Sequence, residues 1–347
     1  MLAKKTVILI SCIALSVGAF ATSETTPEKA AASGSKAASA DFRKDYHRPA
    51  EIPYPEDNQF SEAKANLGKM LFFDPRLSKE NNISCGSCHN PSFSWEDAQA
   101  TSVGTPMTRL GRHTPTILNL AWGEVYFWDG RAESMEEQAL GPIGAGGEMA
   151  QDMEELLIEL KEISYYTGAF EEAFPGEGLN RANIGKAIAT YERTVVSSIA
   201  PFDRWVEGEG GAISDAAKRG FTLFNTKAKC SSCHEGWNFT DWGFHDVGIP
   251  GNDEGRYGVI KIDVLKHAFK TPGLRNIVER APYMHDGSLT TLAQVVDHYD
   301  GGFVKRPSLS ADIVPLGLSA DEKADLVAFL ETLSSNDTPV TYPKLPQ

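Results

Sequence analysis

Two short strings hold the reactive side chains of this chain, Cys85-Gly-Ser-Cys88-His89 and Cys230-Ser-Ser-Cys233-His234. Three chemistries use a C-x-x-C pair. A zinc ribbon sets its two pairs roughly 15–20 residues apart, whereas Cys85 and Cys230 are separated by 145 positions. A thioredoxin-like dithiol sits at a strand-to-helix turn in a βαβ unit and has no use for a histidine after each pair. Covalent attachment of haem c accounts for every residue. Two thiols add across the porphyrin vinyl groups, and the adjoining histidine reaches the iron. The strings are therefore read as two haem c sites, with His89 and His234 as proximal ligands.

Function then depends on the sixth position of each iron, since a filled site moves electrons and an open one binds a small oxidant. The candidates are His47, His113, His245, His267, His285 and His298, together with the methionines and tyrosines.

The elements that must position these groups are helical. Apolar residues recur at helical spacing over residues 151–163, 183–196, 215–224 and 321–333, and strand-like alternation is almost absent. Segments rich in glycine and proline, residues 141–147 and 248–258, are expected to form long loops that carry binding groups. Residues 65–89 and 217–234 each run helix, Gly-x-x-Leu-Phe, short loop, C-x-x-C-H, an internal duplication. A chain of 347 residues with 41% hydrophobic composition suits two domains. The expected division is 41–200 and 201–347, each mostly α and cytochrome c-like with one haem.

The first residues read as an export signal over 1–21: Lys4 and Lys5, an apolar stretch over 6–20, then Ala19-Phe20-Ala21 as a small-x-small cleavage site. That stretch falls short of the roughly 20 residues a spanning helix needs, so no stable membrane insertion is expected unless Cys12 is lipidated. Residues 22–40 are small and polar and read as a flexible tether. A periplasmic location follows. Cys12 departs or is lipidated, and the four remaining cysteines all belong to the two strings. The formal charge of −14 becomes −16 without Lys4 and Lys5, with 31 basic against 47 acidic residues. Such a surface argues against nucleic acid and suits a basic protein partner.

Across nearly the whole mature chain the sequence resembles the bacterial di-haem cytochrome c peroxidase and MauG family. The resemblance rests on both C-x-x-C-H strings, "RHTPT" at 112–116, "FWDGRAESMEEQALGPI" at 127–143, Glu148-Met149, "FKTPGLRNI" at 269–277 and "APYMHDGS" at 281–288. It implies an oxidant-binding haem in the first domain, an electron-transfer haem in the second, and Trp128 between them. It places Gln138, Pro142 and Glu148 in the distal pocket of the first haem, where a carboxylate has a chemical use: splitting a bound peroxide needs a base to carry a proton between its oxygens. Trp128 as an interface aromatic and Glu148 as a solvated loop carboxylate are the plainer readings.

Two departures from the conventional peroxidases point the same way. Their blocking histidine has no counterpart in the loop over residues 103–111, and His113 lies in a turn whose role reads as structural. Their methionine ligand to the second haem is replaced by Tyr299, as in MauG. Leu292, Val295, Val296 and Tyr299 fall at i, i+3, i+4 and i+7, which aims the tyrosine at the buried stripe and His298 about 100° away. Met284 and His285 are rival ligands, and an ordinary buried hydrogen bond is the other fate for Tyr299. A phenolate favours oxidised iron, whereas methionine raises the potential. The resemblance therefore implies a MauG-like enzyme that uses hydrogen peroxide to reach a high-valent di-haem state and oxidise a protein or other external donor. The alternatives are a detoxifying peroxidase fed by a small cytochrome or cupredoxin, and a non-enzymatic di-haem electron carrier.

MauG carries a tryptophan two residues before the second haem motif, where holes exit to its substrate, methylamine dehydrogenase precursor. Here that residue is Ala228, with Trp237 and Trp242 nearby. Family members also hold calcium between the domains, partly through carbonyls that correspond to Arg280 and Pro282, and His113 stands where a side-chain ligand would be.

Overall fold

The computed structural model describes residues 41–105 and 107–347. The expected signal, the tether and Cys12 lie outside the described residues. The fold is mostly α, as expected. In chain order the helices are α1 (Glu62–Phe72), the single turn α2 (Cys85–Cys88), α3 (Met135–Gly144), α4 (Met153–Glu162), α5 (Ser164–Ala173), α6 (Arg181–Arg193), α7 (Pro201–Val206), α8 (Asp215–Phe224), the single turn α9 (Tyr257–Ile260), α10 (Leu292–Asp297) and α11 (Ala320–Glu331). The strands have two residues each and form two antiparallel pairs: β1 (Val103–Gly104) with β2 (Thr108–Arg109), and β3 (Phe244–His245) with β4 (Phe269–Lys270).

Helix starts follow local chemistry, because a side-chain oxygen at the N-cap satisfies an amide that the helix leaves free. Asp152 caps α4, Asn180 caps α6, Ser214 caps α8, and Ser319 with Glu322 forms a capping box on α11. These caps move the boundaries of the four expected helices by a few residues at most. One expectation is corrected: residues 141–144 belong to α3 and are not loop. Pro142 lies in the last turn of that helix, where it removes one i→i−4 hydrogen bond and the helix ends two residues later.

The duplication is a repeated helix crossing. On α1, a Cβ added to Gly68 would lie 1.9 Å from the carbonyl oxygen of Ala187 on α6; on α8, one at Gly220 would lie 1.9 Å from that of Asp325 on α11. Each glycine stands at the same place in Gly-x-x-Leu-Phe, and each lets two backbones touch.

Around these crossings form two apolar cores. The first includes Leu71, Phe72, Leu156, Tyr166, Phe170 and Ile188. The second is built on Phe202, Phe221, Phe224, Phe239 and Phe329, with Phe224 edge-on to Phe329 at 5.1 Å. Burying each such ring is worth about 1.5–3 kcal/mol, and edge-on pairs add about 0.5–1.5 kcal/mol. The ends of the chain cross over. Phe42 and Tyr46 pack in the second core, where the Tyr46 hydroxyl donates to Asn225 Oδ1 at 2.8 Å, while Val340 and Leu345 pack against the first.

Candidate functional site

Each C-x-x-C-H string lines its own cavity with both cysteines and the histidine. Covalent attachment needs that convergence. His89 Nδ1–H donates to the Trp95 carbonyl at 3.1 Å, and His234 Nδ1–H to the Phe239 carbonyl at 2.8 Å. The bond fixes the tautomer and leaves Nε2 free for a metal. Burial holds both imidazoles below their ordinary pKa, which is the neutral form a metal binds. Burial likewise raises the thiols of Cys85 and Cys230, unlike a reactive dithiol, whose pKa is lowered. The donor sets fit two covalent haems. Cys233 also stands beside Asp241 and His245 with ligand atoms within 4.8 Å of one another. A thioether at Cys233 removes that thiol, leaving the 2.7 Å Asp241–His245 pair.

In the first cavity, Gln138 and Pro142 stand one turn apart on α3 and line the same wall with Ala139. Glu148 comes from the turn after α3, which is pinned by Glu148 N–H to the Ala145 carbonyl (2.9 Å) and Met149 N–H to the Pro142 carbonyl (3.1 Å). The β1–β2 hairpin holds the turn from the other side through Thr105 N–H to the Glu148 carbonyl (2.6 Å). Contact is so close that a Cβ on Gly104 would lie 2.0 Å from the Gly147 carbonyl oxygen. Burial raises the Glu148 carboxyl above its ordinary value, and Arg131 partly opposes this. Leu110 and Gly111, from the loop that lacks histidine, complete this side.

Leu292, Val295, Val296 and Tyr299 all line the second cavity. Tyr299 lies in one wide π-type turn, residues His298–Gly302, that continues α10, a feature frequent at functional sites. Its hydroxyl has no hydrogen-bond partner among the described residues, and burial raises its pKa. His298 turns away to the Val247 carbonyl at 2.8 Å. Met284 and His285 also line this cavity, with His285 stacked on Phe269 at 3.6 Å. Ala228 lines it as well, while Trp242 lines the first cavity and Trp237 packs edge-on against Trp122 at 4.7 Å.

Trp128 lines both cavities, as do His113, Lys270, Pro272 and Arg280. The Trp128 indole N–H donates to the His113 carbonyl at 2.8 Å. Burial without an ion-pair partner pushes Lys270 down to about 8.

In the same region His113, which stands where a side-chain ligand would be, offers nothing to calcium, a hard cation that takes oxygen ligands. His113 Nδ1–H donates to the Gln99 carbonyl at 2.7 Å, and Nε2–H to Glu96 Oε2 at 3.0 Å. Burial opposes the charge, but the Glu96 hydrogen bond carries the imidazole pKa above its ordinary value. Arg280 Nε–H donates to Glu96 Oε1 at 2.8 Å. Two organic cations thus share the buried carboxylate, and neither ring nitrogen offers a lone pair. Dialysis against a calcium chelator is expected to leave the haem spectrum and peroxide reactivity unchanged. Loss of reactivity that added calcium restores would show the opposite.

Sequence reasoning brought every proposed site residue to one of the two cavities but missed several others. Arg112 bridges Asp129 (2.7 Å) and Asp253 (2.7 Å) in the wall of the first cavity, and Glu96 and Glu192 are buried there or beside it. Glu192 carries no mark in the sequence, because α6 also holds Arg181, Asn183, Lys186 and Arg193.

Comparison with known proteins gives two family matches: residues 62–211 match the model of the di-haem cytochrome c peroxidase, and residues 217–334 that of cytochrome c. The methylamine utilization protein MauG of Methylorubrum extorquens is 47% identical over 87% of this chain and 86% of its own. That of Methylophilus methylotrophus is 42% identical over 88% and 92%. Among solved structures, a MauG-like protein associated with microbial copper homeostasis is 31% identical with a TM-score of 0.76, covering 83% of this chain and 95% of its own.

Proposed function

The chain belongs to the di-haem cytochrome c peroxidase family, and we propose that within it this enzyme works as MauG-like proteins do, oxidising an external donor from a state in which both haems share the oxidising equivalents of hydrogen peroxide. The observation that carries this reading is Tyr299, a half-buried phenol with no protein hydrogen-bond partner among the described residues, in the wall of the cavity of Cys230, Cys233 and His234.

The haems supply the electron transfer; the protein's residues decide how it proceeds. Glu148 in its ionised form would take up one proton of the oxidant and return it to the departing oxygen, so that water leaves and not hydroxide. Gln138 orients the oxidant with its amide, and Pro142 presents a wall that has no N–H. His89 and His234 would hold the irons through Nε2, and Trp128, anchored on His113, would provide the aromatic path between the two cavities. Tyr299 would hold the second iron as phenolate, since burial alone would keep it protonated and a cation is needed to ionise it. His285 is a weaker candidate because its ring is committed to the stack on Phe269.

We assign 1–21 as signal, 22–40 as tether, 41–200 to the first domain and 201–347 to the second, and place the protein in the periplasm. Its acidic surface supports a basic redox protein as partner. The similarity to methylamine utilization proteins supports a protein substrate, with Ala228 requiring an exit route other than theirs.

The test is stopped-flow absorbance of the fully ferric protein mixed with one equivalent of hydrogen peroxide and no reductant. Rapid conversion to a long-lived oxidised state, shortened in Tyr299→His, is expected. No reaction until one haem has been reduced would instead identify a conventional peroxidase.

A further inference from the structure

The wall of the first cavity contains a carboxyl group for which the peroxide chemistry has no use. Glu192, on α6, is 4% exposed and lines the cavity with Cys85, His89 and Ile188. Its Oε2 has no hydrogen-bond partner among the described residues. Such a group is costly to bury, by about 1–3 kcal/mol when neutral and more when charged.

The charges around it do not neutralise it. Arg193 is the neighbouring cation, but its guanidinium is committed to Glu136, with Nη1 to Oε1 at 2.6 Å and Nη2 to Oε2 at 3.1 Å. Glu136 also receives Asn58 Nδ2–H at 2.7 Å. The other titratable groups around Glu192 are Cys85, Tyr126 and Tyr191, none of them a cation. Burial accordingly pushes the Glu192 carboxyl up to about 8.

What remains to stabilise a carboxylate here is the haem that Cys85 attaches. A ferric haem has one more positive charge than a ferrous one, and in a low-dielectric pocket that charge favours a nearby anion. We propose that Glu192 is the proton-accepting group coupled to reduction of the first haem. One electron from the redox partner enters the iron as one proton from solvent binds the Glu192 carboxylate, and both leave together on oxidation. The charge inside the cavity then stays constant through the cycle. This rests on the assignment of the first cavity to a haem held by Cys85 and Cys88.

The test is spectroelectrochemical titration of the first haem in the holoprotein at a series of pH values, with haem content measured on each sample. The equilibrium for reduction is expected to weaken as pH rises above the ordinary carboxylate range, by up to tenfold per pH unit, equivalent to 59 mV, and to level off once Glu192 is ionised in both redox states. Glu192→Asp should keep the slope and Glu192→Gln should remove it, both with two haems per chain. A slope that survives in Glu192→Gln, or one that only Glu148→Gln removes, overturns the assignment. Should Glu192→Gln fail to mature, redox-difference infrared spectra of the parent protein decide. A carbonyl band of a protonated carboxyl that grows on reduction and shifts in heavy water supports the proposal, and its absence sinks it. A chain with no haem at Cys85 and Cys88 would instead refute the underlying site.

Discussion

Glu148→Gln is expected to slow the reaction of the ferric protein with hydrogen peroxide by about 10²–10⁴-fold, the usual contribution of a positioned base, while both haems remain attached. Glutamine keeps the size of the side chain and its place on the turn fixed by Ala145, Pro142 and Thr105, but cannot take a proton. The parent enzyme should also show a pH profile of definite sign. Only the ionised carboxyl is a base, and burial raises the Glu148 pKa. Reactivity should therefore be low in acid and rise through a midpoint above the ordinary carboxylate range. Stopped-flow rates across pH check both points. A variant that reacts as fast as the parent would remove Glu148 from the chemistry and leave it a wall of the pocket.

The second large effect is on folding. Gly220→Val should destabilise the second core by on the order of 3 kcal/mol or more, at or beyond the top of the usual range for overpacking. Its Cβ would stand 1.9 Å from the Asp325 carbonyl oxygen and 2.8 Å from Phe329 Cβ, and neither backbone can move without separating α8 from α11. Gly68→Val should do the same to the first core against Ala187. Gly168→Ala is the control: it lies on α5, a Cβ there meets no heavy atom within 4 Å beyond its own stretch of helix, and alanine favours a helix by about 1 kcal/mol. Thermal unfolding and covalent haem yield measure all three. Equal stability of Gly220→Val and the parent would mean that the crossing is looser than the backbone distances imply.

How much of this could be read from the chain depends on how local each feature is. The haem strings are contiguous, so attachment chemistry is written in five residues at a time. Helical period is also local, which is why spacing alone assigns a face to Leu292, Val295, Val296 and Tyr299, and the same four residues do line the second cavity. The duplication exposed Gly68 and Gly220 as equivalent positions. The extent of α3 was harder, because Gly141 and Pro142 disfavour a helix by propensity and yet sit in its final turn, where tertiary packing outweighs propensity.

Cofactor, helical class and the residues that meet the cofactor through short spacing are thus legible along the chain. The partners of those residues emerge only from packing. Arg280 and His113 meet on Glu96, and Arg280 is 184 positions from it. Tyr46 belongs to the core of the other half of the chain, and Val340 and Leu345 to that of the first. Glu192 is an ordinary helix residue until α6 turns it into the cavity and Arg193 turns to Glu136. The physical reason is common to all of them: a charge or a ring carries no mark of its partner along the chain, and which groups share a dry pocket is settled only when helices far apart in sequence pack together.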